Sequence, residues 1–230
     1  MNKPNDDPAS EGSLAGQLNH ALKSIMMEME DMLPASVVSY DDVSNRAVIK
    51  PLVMMGTTEG QKISRGAVAN IPVFRFGGGG FFIRAPIKPG DFGWLKANDR
   101  DISLIFQRGG LEDWPNTERL HSFSDAMFFP DTLKEWVIDG KNIDALVIQS
   151  MDGTVCFSLH SDKAVLDTPK FEVNAEETIY TGNVTINGNH AVNGNSESSG
   201  GSMRHNGKNI GSDHQHNGVQ HGSDTSGVPI

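Results

Sequence analysis

TGNVTINGNHAVNGNSESSGG, residues 181–201, is the stretch on which the fold of this chain turns. Gly182, Gly188, Gly194 and Gly200 recur every six residues, and the first three are each followed by asparagine (Asn183, Asn189, Asn195). Gly and Asn tolerate the positive φ of tight turns. The four residues between such turns suit one short strand, roughly 13 Å long at the usual strand rise. A repeat this small has no hydrophobic face of its own to bury, so it must stack on other copies. The same glycine-punctuated style extends from about Val155 to Ile230.

In the register where Val184 and Ile186 share a side, the residues six further on are His190 and Val192, then Ser196 and Ser198. That side begins apolar and becomes small and polar, as a narrow, tapering core would. One chain of such thin strands has almost nothing to bury, whereas several identical chains around one axis each supply a side of a prism. The expectation is an intertwined β-prism, most simply threefold.

The strand array closes on Asp213-His214-Gln215-His216. Residues i and i+2 of a strand face the same way, so both imidazoles can point at the axis. Two nitrogens from one chain make a poor site. Three chains would supply six imidazoles, an octahedral shell that suits iron or a similar transition metal better than tetrahedral zinc. The six-residue phase from Val184 and Ile186 carries through to positions 214 and 216. It would also turn Arg204 and Lys208 inward, so a break in register is expected near Gly207–Gly211. The bland alternative is a solvated polar tail.

Composition frames the rest. A chain of 230 residues accommodates two modest domains, and its 25 glycines fit a thin or elongated body better than one large core. The formal charge of −10 argues against nucleic acid as a partner. Cys156 is the single cysteine, which rules out an intrachain disulfide. In the alternation Val155, Phe157, Leu159 it falls on the opposite face and reads as a bystander. No apolar run approaches membrane-span length and the polar N-terminus lacks a signal-peptide pattern, so synthesis in the cytoplasm is expected.

Upstream, Leu14, Leu18, Leu22, Ile25, Met29 and Leu33 recur at three or four, which predicts an amphipathic helix over 13–33 that Pro34 stops. Such a helix packs on its own domain, or bundles with its copies, or attaches the protein to a larger assembly. Residues 35–106 alternate in short pieces, Ser36–Tyr40, Ala47–Met54, Ala67–Phe76, Phe81–Ala85, Gly93–Ala97 and Ile102–Phe106, which suggests a small β-barrel with the OB-fold favoured. The run Gly77–Gly80 is followed by no Gly-Lys-Ser/Thr and no helix, so it reads as a hairpin tip and not a phosphate loop.

Here the motifs acquire a family likeness. Ile71-Pro72-Val73, the glycine run, Phe81-Phe82-Ile83, Pro86-Ile87-Lys88-Pro89-Gly90-Asp91, Gly93 and Asp99-Arg100-Asp101 resemble the N-terminal barrel of contractile-tail phage baseplate spike proteins. These are the membrane-piercing central spikes, similar also to the baseplate assembly protein V group. Arg119–Ala126 with Phe128, Phe129 and Pro130 is similar to the family's connector. Gly211–Pro229, with His214-Gln215-His216, Gly218-Val219-Gln220 and Ser226-Gly227-Val228-Pro229, resembles the spike tip. The likeness covers about residues 35–230. His221 stands where a small residue is expected, and Asn217 where the family often has glycine.

The resemblance implies an all-β homotrimer: a polar segment and helix at 1–34, an OB-fold at 35–110, a connector at 111–150, an intertwined β-helix at 151–212 and a metal-binding tip at 213–230. It implies a structural iron ion held by His214 and His216 of three chains. His190 would either form a further polar layer on the axis or simply be hydrogen-bonded in place. The expected partners are baseplate hub proteins and, mechanically, the host outer membrane, with the protein residing in the virion's tail baseplate. No enzyme is expected. His121, Ser122, Ser124 and Asp125 lie close together, but no Gly-x-Ser-x-Gly elbow is present, and a turn held by Ser and Asp side chains is the simpler expectation. Alternatives are a trimeric receptor-binding fibre or adhesin, which the lack of aromatics after Phe171 other than Tyr180 disfavours, and a metal-dependent enzyme using His214, His216 and Asp213 or His221.

Overall fold

The structure is a computed structural model describing residues 13–57, 60–132, 140–212, 214, 215, 217, 218 and 222. It divides into two units, Met1–Phe171 and Glu172–Ile230. Apart from one helix of 15 residues, regular structure among the described residues is predominantly β. No helix among them is long and apolar enough to cross a membrane.

The first unit opens with α1, Leu14–Glu28, capped by the Ser13 hydroxyl, which accepts from the Gly16 N–H at 3.0 Å. The helix is shorter than its apolar spacing predicts. Met29 turns extended, and Glu30 and Asp31 are taken up by the body: Glu30 N–H donates to His121 O (3.0 Å) and Ala97 N–H to Asp31 O (2.7 Å). The chain is therefore already a strand when it reaches Pro34, whose carbonyl accepts from Leu52 N–H at 2.8 Å.

Strands β1 (Met32–Asp41) and β2 (Arg46–Pro51) are followed by a small ribbon, β3 (Met55–Gly56) with β4 (Lys62–Ile63), then β5 (Val68–Pro72). A hairpin, β6 (Phe76–Gly78) and β7 (Phe81–Ile83), turns through Gly79 and Gly80, both at positive φ, so the glycine run is a hairpin tip as expected. After β8 (Phe92–Asn98) comes α2 (Ser103–Gln107), then β9 (Ser122–Pro130).

The main sheet runs β5-β2-β1-β8-β9, antiparallel throughout. Its two edges meet: Val73 bridges Phe128 in parallel sense, and Phe74 N–H donates to Phe128 O at 2.8 Å. The sheet is thus a nearly closed five-stranded barrel. Its core is Ala35, Val37, Ala47, Ile49, Ile71, Val73, Leu95, Ala97, Phe123, Ala126 and Phe128. Strict alternation along β8 turns Gly93, Leu95 and Ala97 inward. Gly93 has to be glycine, because a Cβ there would lie 2.3 Å from Phe129 O and 2.5 Å from Phe128 Cζ.

Two further expectations fail in this unit. Ile102–Phe106, read as a strand from alternating Ile102, Leu104 and Phe106, is helical. The Asp101 carboxylate accepts the Ser103 N–H at 2.9 Å, and that local bond turns the backbone away from a ladder. Ser122–Asp125, read as a turn, is the start of β9, where a shift in register against β8 at Ala97/Asn98 accompanies an inward Asp125.

Beyond the barrel, β10 (Leu146–Gln149), β11 (Cys156–Leu159) and β12 (Ala164–Asp167) form a meander. Cys156 lies on the face opposite Phe157 and Leu159, as the alternation predicts, and that face is the covered one. Cys156 and Ser158 are buried, with Asn142 Nδ2 3.6 Å from the thiol, whereas Phe157 and Leu159 face out. Leu146 pairs with Leu159, Ile148 with Phe157 and Phe157 with Leu166, so five apolar side chains make one exposed sheet face.

In the second unit the chain bends at Gly182, Gly188, Gly194 and Gly200 with irregular segments between. Among the described residues from 172 to 203 these segments pair with no strand of the same chain, and Val173, Ile179, Tyr180, Val184, Ile186 and Val192 are all exposed. Gly194 and Gly200 adopt positive φ (152° and 73°), whereas Gly182 and Gly188 do not. The hairpin β13 (Arg204–His205) with β14 (Lys208–Asn209) then turns through Asn206 (φ 46°) and Gly207 (φ 77°). It interrupts the six-residue phase where the inward charges of Arg204 and Lys208 predict a break.

Candidate functional site

Two places concentrate polar chemistry, and each has to be built from its own surroundings.

The first is at the C-terminal end. After the Asn206–Gly207 turn, Ile210 N–H returns to Met203 O (2.8 Å), and the Asn209 side chain accepts from Gly211 N–H (2.9 Å). The tightened chain brings Gly211 O towards His214, whose backbone N–H lies 3.1 Å and whose Nδ1 lies 2.7 Å from that oxygen. A carbonyl only accepts, so Nδ1 carries the hydrogen. A ring oriented through one nitrogen by a backbone carbonyl is the arrangement in which the other nitrogen ligates a metal. His214 is exposed, and its chemistry fits the iron or similar borderline metal that the sequence suggests. His216, the second expected ligand, lies outside the described residues, as do Asp213 and His221. Among the described residues no three His, Cys, Asp or Glu side chains gather closely enough to hold an ion. His190 is exposed, on the irregular stretch between Gly188 and Gly194.

The second place lies where residues 101–119 meet the start of β9. Asp101 and Asp125 have side chains 0% and 5% exposed, and Arg119 lies over both. Arg119 Nε donates to Asp125 Oδ2 at 3.0 Å and Nη2 to Asp125 Oδ1 at 3.1 Å, a bidentate pair, while Nη2 also reaches Asp101 Oδ2 at 3.2 Å. Thr117 Oγ1 donates to the same Asp101 oxygen at 2.8 Å. The Asp101 carboxyl is pulled down from 3.8 to about 2, first by the Ser103 hydroxyl and N–H beside it, then by Thr117 and Arg119, which together outweigh its burial. Asn98 Nδ2 donates to Asp125 O at 2.5 Å. The cluster staples the segment after α2 to β9.

That arrangement also answers the apparent His-Ser-Asp grouping. The Asp125 carboxylate is occupied by Arg119, and His121 Nδ1 lies 3.8 Å from Asp99. Ser122 Oγ is near the Ser124 N–H at 3.3 Å. A relay from Asp125 through His121 to a serine is not formed. The staple was not anticipated in the sequence, where Asp101, Arg119 and Asp125 stand among several other charged residues between 99 and 125.

Comparison with known families gives two matches on the one chain. Residues 33–131 match the family described as phage protein Gp138 N-terminal domain. Residues 212–229 match the family described as GpV apex motif. No curated protein matches the chain. The first match begins within one residue of β1 and ends one residue past β9, so it coincides with the barrel and its staple. The second contains His214 and His216.

Proposed function

We propose, from the premise that this chain belongs to the GpV-like family of contractile-tail phage central spikes, that three copies form a spike which perforates the host outer membrane when the tail contracts. The chain is a phage tail structural protein; the trimer, the piercing and the metal are the proposal. The barrel is read as an OB-fold collar, since its strand order and the parallel meeting of its edges suit that partly open five-stranded form. Residues 151–212 are read as the intertwined β-prism and 213–230 as its apex, carried in the virion baseplate among hub proteins.

The single observation that carries this proposal is the exposure of Val184, Ile186 and Val192 on irregular segments that pair with nothing in their own chain among the described residues. Uncovered apolar side chains are costly in water, and winding three such segments together covers them while pairing the backbone groups that burial would otherwise strand. The apolar face of β10, β11 and β12 supports the same conclusion from a separate part of the chain.

An interlaced trimer suits a mechanical load, because withdrawing one strand breaks ladders to two neighbours. At the apex, where strands otherwise fray, His214 with its ring set by Gly211 and His216 from each chain would hold the ion. Six imidazoles leave the ion no open position, so it would link the three C-terminal segments structurally and do no chemistry. Immunogold labelling of phage particles with antibody to the barrel tests the assignment. Label at the distal end of the contractile tail is expected; label on the capsid, or none on tails, would overturn it.

A further inference from the structure

The helix α1 is the one long element whose partner the spike proposal leaves unassigned. None of its residues is buried, and Leu18, Leu22 and Ile25 are each more than half exposed. A helix of 15 residues is marginal on its own in water, so its stability has to come from packing of its apolar side.

The spacing of that side identifies what packs there. Ala15, Leu18, Leu22 and Ile25 follow one another at intervals of three, four and three, the a, d, a and d positions of two heptads. Leu22 then stands at a and Ile25 at d, a combination that shifts preference from two strands towards three or four. The flanking e and g positions include Leu14, Ala21 and Met26, which widens the apolar stripe as an assembly of more than two helices requires. Lys23 falls at b, away from the seam, and Glu28 at g. A helix seated in a groove shows the same three–four anchors; the pairing of Leu at a with Ile at d is what favours copies of the same helix.

The root of the helix is fixed. Glu30 accepts from Phe123 N–H at 2.6 Å and pairs with Arg65 at 3.0 Å, one residue past the Met29 cap. Each barrel therefore presents its helix from a held base.

We propose that α1 packs in parallel with α1 of two sister chains as a short three-stranded coiled coil, a second interface that clasps the assembly at the end opposite in sequence to the metal apex. It rests on the threefold assembly but not on the metal or the needle. The test is oxidative cross-linking of the purified full-length chain, alone, carrying Leu22→Cys at a, Leu18→Cys at d, or His20→Cys at the outward f position. The wild type, whose Cys156 is buried, serves as background. Both seam variants are expected to give covalent dimers on a non-reducing gel, at least fivefold more than His20→Cys. Equal cross-linking at all three positions, or none at the seam in a particle whose mass is still trimeric, overturns the coiled coil and leaves the spike intact. The second result would also be seen if the helix seats on another baseplate protein. A monomeric mass overturns both proposals at once.

Discussion

Replacing Arg119 with alanine removes the one cation, among the described residues, that pairs with two carboxylates the barrel has withdrawn from water. Asp101 and Asp125 are 0% and 5% exposed, and three of their hydrogen bonds come from this guanidinium. Breaking a fully buried ion pair by deleting one partner costs about 3 to 5 kcal/mol. Arg119 itself is 46% exposed, so water can follow it out, and Asp101 keeps Ser103 and Thr117. The expected cost is therefore lower, about 2 to 3 kcal/mol. At about 1.4 kcal/mol per tenfold, amide exchange of β9 in the full-length chain should speed up roughly 30- to 150-fold at pH 7. Adding Asp125→Asn should restore more than half the protection, because one stranded charge is gone. A change under about threefold in β9, or no recovery in the double variant, would refute the claim that the staple holds this edge of the barrel.

The same cluster sets an acid limit. The folded Asp101 pKa, about 2, lies below its ordinary 3.8, so its contribution is complete above about pH 4 and is lost as pH falls towards 2. Discounted for the open Arg119 side, that leg is about 1 to 2 kcal/mol, and Asp101→Asn should flatten the barrel's stability between pH 4 and 2; an unchanged slope would contradict it. Gly93→Ala should destabilise the barrel by about 1 to 3 kcal/mol through overpacking, since its Cβ meets Phe129 O and the Phe128 ring; an unshifted thermal transition would contradict that packing. His214→Ala with His216→Ala should abolish bound metal while leaving the oligomer, and metal retained in elemental analysis would sink the ligand assignment.

Much of this architecture is legible in the sequence because it is local. The β8 alternation of Gly93, Leu95 and Ala97 is a period of two on the page and a buried face in the structure. The Asn206-Gly207 pair announces its turn, and the charges of Arg204 and Lys208 announce that the six-residue phase stops there. Non-local competition is what hides the rest. Ile102, Leu104 and Phe106 alternate like a strand, yet the buried Asp101, fixed by residues 16 and 18 positions later, captures the Ser103 N–H and starts a helix. Met29 to Leu33 continue a helical spacing, but Glu30 is claimed by Arg65 and Phe123. At Cys156, alternation correctly separates two faces. It does not say which is covered, and here the apolar side of the alternation is the exposed one. Of the two expected metal ligands, His214 is oriented by Gly211, a neighbour only three residues away.

Native mass spectrometry of the full-length protein tests the central claim most directly. Three 24.9 kDa chains and a single metal ion per particle are expected. A lone chain, or a trimer whose mass leaves no room for the ion, would contradict the spike proposed here.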